Sequence, residues 1–261
     1  MKIDRSGFLQ GVRFIATPNC DERPPEVEFD LPLLVIHNIS LPPREYGGSG
    51  VIDFFTNKLD VRAHPYYQMI AGLRVSAHFF IRRDGEIIQF VSCNKRAWHA
   101  GASYWRGIPD VNSASIGIEL DHPGHALGYR EFSEAQFSAL VPLLARIVEE
   151  HGIPRANVVG HSDVAPARKE DPGELFDWER LAKVGLAIPR PTKNLVDPGW
   201  GDAAFLLALE RYGYGIADGP KAVVAFQRRF RPERVDGIID GQCRAILWSL
   251  LLEHEGGPAI G

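Results

Sequence analysis

Apolar and polar positions follow two different rhythms along this chain. LPLLVIHN (Leu31 to Asn38) is a run of branched apolar residues ending on a polar pair, and it reads as a buried strand. VSAHFFIRRDGEIIQFV (Val75 to Val91) reads as two strands around Asp84-Gly85, a dipeptide suited to a tight hairpin turn. SASIGIEL (Ser113 to Leu120) and NVVGH (Asn157 to His161) add two short strands. Three of these four runs end near a His or a Glu. Ser133 to Glu150 repeats at helical spacing, with Phe137, Leu140, Val141, Leu144, Ile147 and Val148 on one face. Ser133 with Gln136 fits a capping box, and Gly152 with Pro154 supplies the stop. Pro142 breaks the pattern, because its ring crowds the carbonyl of Ser138, and a kink is expected there.

The rhythm lapses in AIPRPTKNLVDPGWG, where prolines and glycines predict a linker over 187–201. Beyond it lie three helical segments, roughly Ala203 to Tyr212, Pro220 to Phe230 and Gly241 to Glu253. The expected organisation is a main domain over 1–186, the linker, and a small three-helix unit over 202–261.

Composition narrows the function. A formal charge of -4 excludes a non-specific nucleic-acid binder, which would carry an excess of Lys and Arg. No apolar run is long enough to span a bilayer, and nothing points to a protein partner. The start, MKIDRSGFLQGVRFIATP, lacks the apolar core of a secretory signal, and Cys20, Cys93 and Cys243 form no C-x-x-C pair. A cytoplasmic protein is expected, with the periplasm as the alternative.

Catalytic zinc takes three protein ligands and keeps a fourth position open. His37 at the end of the first strand, His161 at the end of the last, and Asp171 in RKEDPG offer such a set. Spacing cannot join residues so far apart, and with nine histidines in the chain the trio is one candidate among several. Glu119 sits amid β-branched residues, where a carboxylate is costly to bury without a partner; a solvent-facing position is the plain alternative. Lys169 lies two residues before Asp171, so both side chains can face one point from an extended segment.

VIHNISLPP, LRVSAHFFIRRDGEIIQFV, RAWHAG, SIGIEL and GHSDVAPARKEDPG resemble, in this order, AmpD-type N-acetylmuramoyl-L-alanine amidases. These belong with the phage-type amidases and peptidoglycan-recognition proteins, and the likeness runs from about Gly7 to about Val184. It implies an α/β fold, a central mixed sheet flanked by helices. It implies Zn2+ on His37, His161 and Asp171, with Glu119 as acid/base and Lys169 as oxyanion partner. Some distant relatives add a Tyr before the strand histidine; Ala77 stands there, which leaves the proton to Glu119. Asn38, Arg74, Trp98 and His99 are the expected substrate contacts. Asp110 stands where relatives carry an Arg, and Arg106 is the expected substitute.

The substrate so implied is an anhydro-muropeptide, cut between muramic acid and L-alanine, or else polymeric peptidoglycan. A non-catalytic peptidoglycan binder is a further alternative, which the intact ligand and acid/base positions oppose. AVVAFQRRFRPERVDGIIDGQCRAILWSLL is similar to a three-helix peptidoglycan-binding domain; a plain helical cap is its simpler reading. The segment from Arg44 to Gly72 is expected to form a lid or cleft wall, or equally a fixed packing element.

Overall fold

The structure is a computed structural model describing residues 1–25, 32–125 and 128–255. Six strands form one mixed sheet. Its order is β1 (Arg13–Phe14), β5 (Ile87–Gln89), β4 (Phe79–Ile81), β7 (Ser115–Asp121), β3 (Leu33–Ile39) and β8 (Val158–Gly160). Only β4 and β5 pair antiparallel, across the Asp84-Gly85 turn; the other neighbours run parallel. A two-stranded ribbon of β2 (Cys20–Glu22) and β6 (Lys95–Ala97) lies apart. The strands are shorter than the apolar runs that predict them. Leu31, the first residue of the first run, lies outside the described residues.

Period-two alternation gives the sheet two characters. Leu34, Ile36, Phe79, Ile81, Ile116 and Ile118 face α3 (Glu134–His151), which covers them with Phe137, Leu140, Leu144 and Ile147. Ser133 and Gln136 form the expected capping box, Gly152 ends α3 in the left-handed conformation, and the helix continues past Pro142 without ending there. The opposite face carries Leu33 and Val35 on β3, then His37, beside Ser115, Gly117 and Glu119 on β7.

After α5 (Trp178–Lys183), the terminal segments form α6 (Asp202–Tyr212), α7 (Gly219–Phe230) and α8 (Gly241–Glu255). They do not hang from a tether. Phe205, Leu209, Tyr212, Ala222, Val223, Phe226 and Phe230 share one buried cluster with Leu33, Val35, Trp105, Val159 and Val164 of the main body. Residues 187–201 hold no helix or strand, yet Leu195 and Trp200 pack on that cluster and Asp197 pairs with Arg244 at 2.7 Å. The 44–72 segment contains two short helices, α1 (Gly50–Phe55) and α2 (Pro65–Met69), whose Val51, Phe54, Phe55 and Tyr67 are buried against Phe80 and Phe90.

Candidate metal centre and cleft

Strand register brings the first two groups together. His37 and Glu119 are partners across the parallel β3–β7 ladder, so both side chains leave the same face side by side. Gly160 pairs with Ile36, which sets His161 next to His37. His161 is not the last residue of a strand, as the NVVGH pattern suggests, but the first of a short helical turn, α4 (His161–Val164). The chain turns there because Asp163 folds its carboxylate back onto the Gly160 amide at 2.7 Å.

Asp171 arrives on the loop that follows α4. Its carbonyl accepts from the Ser162 amide at 2.8 Å, and Arg168 pins the loop to the Ala100 and Ala102 carbonyls. The next carbonyl, of Pro172, accepts from Asn38 Nδ2 at 2.9 Å and Tyr129 Oη at 3.0 Å. Gly173 has φ 92°, and a Cβ there would lie 2.0 Å from Tyr129 Oη, so the D-P-G turn requires its glycine.

Three donor atoms converge. His37 Nδ1 and His161 Nδ1 are 2.9 Å apart, and Asp171 Oδ2 is 3.3 Å from the first and 3.1 Å from the second. Two ligands of a tetrahedral zinc with ordinary bond lengths sit about 3.3 Å apart, so the triangle fits such an ion. Both rings are buried, and the donor atoms of the group lie within 4.8 Å of one another. Burial and the neighbouring His161 push the His37 imidazole down to about 4, which keeps its lone pair available. Burial alone would raise the Asp171 carboxyl, but His161 and His37 outweigh it and hold the group well below the carboxylate range. The set can hold a metal ion.

The far ring nitrogens are fixed too. His161 Nε2 faces the Ala100 carbonyl at 3.3 Å. His37 Nε2 lies 2.9 Å from His99 Nδ1, and His99 Nε2 lies 3.3 Å from Ser115 Oγ, which donates to the Val111 carbonyl at 2.5 Å. Burial, then the His37 and His78 rings, depress His99 well below the imidazole range, so it is neutral. Were Nδ1 of His37 to hold an ion, the proton would sit on Nε2 and donate to His99 Nδ1. His99 packs flat on Gly117, where a Cβ would come within 2.6 Å of its ring.

Glu119 is buried, and its Oε2 has no hydrogen-bond partner among the described residues. Burial raises it well above the usual carboxylate range, Asp171 raises it further, and Lys169 offsets part of this. A buried carboxyl with an unpartnered oxygen, beside three groups that can hold a metal, is equipped to exchange a proton.

The site opens on a cleft with two arms. One, of about 290 Å³, is walled by Leu41, Phe54, Tyr66, Ile70 and Leu73, with Glu119, His99 and His161 along it. The other, of about 440 Å³, runs between His125, Arg168 and Glu170 on one side and Lys221, Val224 and Arg228 of α7 on the other. Asn38, Tyr66, Lys169 and Asp171 belong to both. A separate concavity of about 470 Å³ beside Trp178 and Arg190 shares Arg228 with the second arm but contains none of Asn38, Tyr66, Lys169 and Asp171.

Of the expected site residues, His37, His161, Asp171, Glu119, Lys169, Asn38 and His99 are brought together. Arg74 is exposed in a neighbouring depression with Asn57 and Leu59, its guanidinium on the Leu73 carbonyl. The Trp98 indole donates to Asp21 at 3.1 Å on the β2–β6 side. Arg106, expected from the sequence to substitute for the missing Arg, does not line the cleft; it donates to the Tyr212 carbonyl at 3.0 Å and stacks on Trp105 and Tyr212. Asp110 binds Ser113 and Arg96. Sequence reasoning missed Ser115, Gly117 and Asp163. The small residues alternating through SIGIEL and the Asp in GHSD are the signals that mark them.

Comparison with known proteins agrees with this picture. Residues 31–174 match the N-acetylmuramoyl-L-alanine amidase family, Amidase_2. The 1,6-anhydro-N-acetylmuramyl-L-alanine amidase AmpD of Escherichia coli is 46% identical over 176 residues, 67% of this chain and 92% of AmpD. The solved complex of E. coli AmiD with anhydro-N-acetylmuramic acid-L-Ala-D-gamma-Glu-L-Lys matches with TM-score 0.69 and 30% identity, over 88% of this chain and 91% of AmiD. AMPDH3 from Pseudomonas aeruginosa matches with TM-score 0.70 and 25% identity, over 98% of this chain and 100% of its own.

Proposed function

The chain belongs to the N-acetylmuramoyl-L-alanine amidase family, and from that premise we propose a zinc-dependent hydrolase acting on muropeptides. It cuts the amide between (1,6-anhydro-)N-acetylmuramic acid and L-alanine, in peptidoglycan recycling. The observation that carries the reading is the triangle of His37 Nδ1, His161 Nδ1 and Asp171 Oδ2 beside the Glu119 carboxyl, whose Oε2 has no partner among the described residues.

His37, His161 and Asp171 would hold the ion. Zinc bound there supplies a Lewis acid and makes a water acidic near neutral pH. Glu119, raised by burial, takes the proton of the attacking water and returns it to the departing alanine nitrogen. Lys169 stands between both arms and donates to the carbonyl oxygen as negative charge develops. His99 orients His37, and Asn38 lines both arms as a substrate contact while holding the D-P-G turn. Arg74 and Trp98, at the margins, are positioned only for outlying parts of a substrate.

We take 1–186 as the catalytic domain, 187–201 as a connector and 202–261 as the helical unit; 256–261 lie outside the described residues. On the likeness to AmpD, we place the protein in the cytoplasm. The test is hydrolysis of an anhydromuramoyl-tripeptide beside polymeric wall, before and after chelation. Release of the peptide, lost with the metal and restored by zinc, is expected. Turnover unchanged in stripped protein overturns the metal assignment, and cleavage of polymeric wall alone overturns the substrate.

A further inference from the structure

The turn that carries His161 has little of its own to hold it. α4 is four residues long and follows β8, a three-residue strand at the end of the sheet that pairs on one side only, with β3. Short elements with few partners are where a fold opens first. Yet two of the three groups that converge at the candidate metal centre depend on this turn. His161 is its first residue, and the Ser162 amide holds the Asp171 carbonyl at 2.8 Å. His37, by contrast, stands on β3, with a strand on either side.

What steadies the turn comes from far along the chain. Asp163 is buried, and each of its oxygens has a partner. Oδ2 accepts from the Gly160 amide at 2.7 Å and closes the turn. Oδ1 accepts from Tyr214 Oη at 2.6 Å, across 51 positions. Tyr214 is itself fixed. It is buried, its ring packs against Trp105 at 5.1 Å and Phe226 at 6.2 Å, and its amide donates to the Leu209 carbonyl of α6 at 3.2 Å. At the start of β8, Arg229 of α7 donates to the Val158 carbonyl at 3.2 Å, while its guanidinium lies 3.1 Å over the Trp178 ring. The helical unit therefore grips the segment at both ends, Val158 before the turn and Asp163 within it.

Packing alone does not call for the hydroxyl. A Phe at position 214 would fill the same space between Trp105 and Phe226, and a buried hydroxyl is costly unless it is partnered. Its partner is the side chain that shapes the turn. Without the hydroxyl, Oδ1 of a buried carboxylate is left unsatisfied, and Asp163 gains by turning away from the Gly160 amide. His161, the next residue after Gly160, then loses its set direction.

We propose that Tyr214 is a positioning residue for the candidate metal centre: through Asp163 it fixes the turn that carries His161 and holds Asp171, so the helical unit sets how tightly the site retains a metal ion. The inference rests on the metal-dependent reading above. It makes the terminal helices part of the support of the centre.

The test uses the full-length protein, stripped of metal and titrated with zinc against a chromophoric chelator. Tyr214→Phe should bind zinc about tenfold more weakly, the lower end of what an outer partner of a metal ligand is worth, because it acts at one remove. A general loss of stability does not give that result. Ile246→Ala opens a cavity in the same core, on α8, and should ease unfolding by denaturant while zinc affinity stays at the parent value. Asp163→Ala has no carboxylate for the hydroxyl to hold, so adding Tyr214→Phe to it should weaken zinc no further. Where Asp163→Ala does not fold, the other two variants decide. Parent affinity in Tyr214→Phe overturns the proposal, as does an equal loss of affinity in Ile246→Ala or a further loss in the double variant. A parent that binds no zinc removes the metal reading itself, and the proposal with it.

Discussion

Gly117→Ala adds one methyl group, and the structure says where it goes. The new Cβ would lie 2.6 Å from Cγ of His99 and 2.7 Å from its Cδ2 and Nδ1. Carbon atoms rest about 3.5–4.0 Å apart, so the ring must retreat by about 1 Å. The backbone beneath it cannot follow easily, because Asn112 Oδ1 holds the amides of His99 at 3.0 Å and Ala100 at 2.7 Å. Rotation of the ring instead breaks its contact with His37 Nε2. Overpacking costs about 1–3 kcal/mol, and the lost hydrogen bond about 0.5–1.5 kcal/mol. The stiffer unfolded chain returns only about 0.4–1 kcal/mol, so the clash wins. Loss of the group that orients a metal-bound histidine should weaken zinc about 10–100-fold. Denaturant unfolding of the metal-free protein measures the first effect, and competition with a chromophoric chelator the second. His99→Ala in the same chain removes the clashing ring, so the double variant should recover the stability cost of Gly117→Ala but not the metal affinity. A Gly117→Ala protein as stable as the parent and binding zinc as tightly would refute the reasoning.

Three other outcomes follow from the same structure. Glu119→Gln should keep its metal and lose about 10²–10⁴-fold in turnover, read by metal analysis beside the peptide-release assay; unchanged turnover would remove Glu119 from the proton path. Tyr214→Phe strips one partner from the buried Asp163 and should cost about 1–3 kcal/mol in denaturant unfolding; no change would mean the contact holds nothing. Asp121 is buried and raised to about 6, chiefly by desolvation. A carboxyl raised on folding opposes the fold once ionised, so its penalty is absent below about pH 4 and complete above about pH 6. Two pH units correspond to about 3 kcal/mol, so Asp121→Asn should gain up to that at pH 7 and nothing at pH 4, by unfolding at both values; equal effects would contradict the assignment.

What was legible in the sequence follows the range of the interactions. Strands, hairpin and α3 announce themselves through near neighbours: Asp84-Gly85 for the turn, Ser133 and Gln136 for the cap. The meeting of His37 with His161 and Asp171 depends on strand order, which no local pattern contains; a long motif stood in for it. His99 is the instructive case. RAWHAG marks it as a site residue, but its neighbours in space are His37 and Gly117, and only register decides that the ring packs on a glycine. Arg106 misleads for a similar reason: a cation near the cleft in sequence is drawn away by the Tyr212 carbonyl, a partner 106 positions distant.

The helical unit shows the same principle on a larger scale. Its three helices are visible from spacing and punctuation, and by those signals alone they make a separable module. Their burial says otherwise. Leu33, Val35, Val159 and Val164 would lie open to water without Phe205, Tyr212, Phe226 and Phe230. The sheet face that carries His37 and Glu119 further along is therefore half roofed by the terminal helices. Asp163 joins the two, with one oxygen on Gly160 beside His161 and the other on Tyr214. A module that only tethers the enzyme to polymer would need neither the shared core nor a contact two residues from His161. The packing instead fits a part that shapes the cleft, with Lys221, Val224 and Arg228 of α7 lining one of its arms.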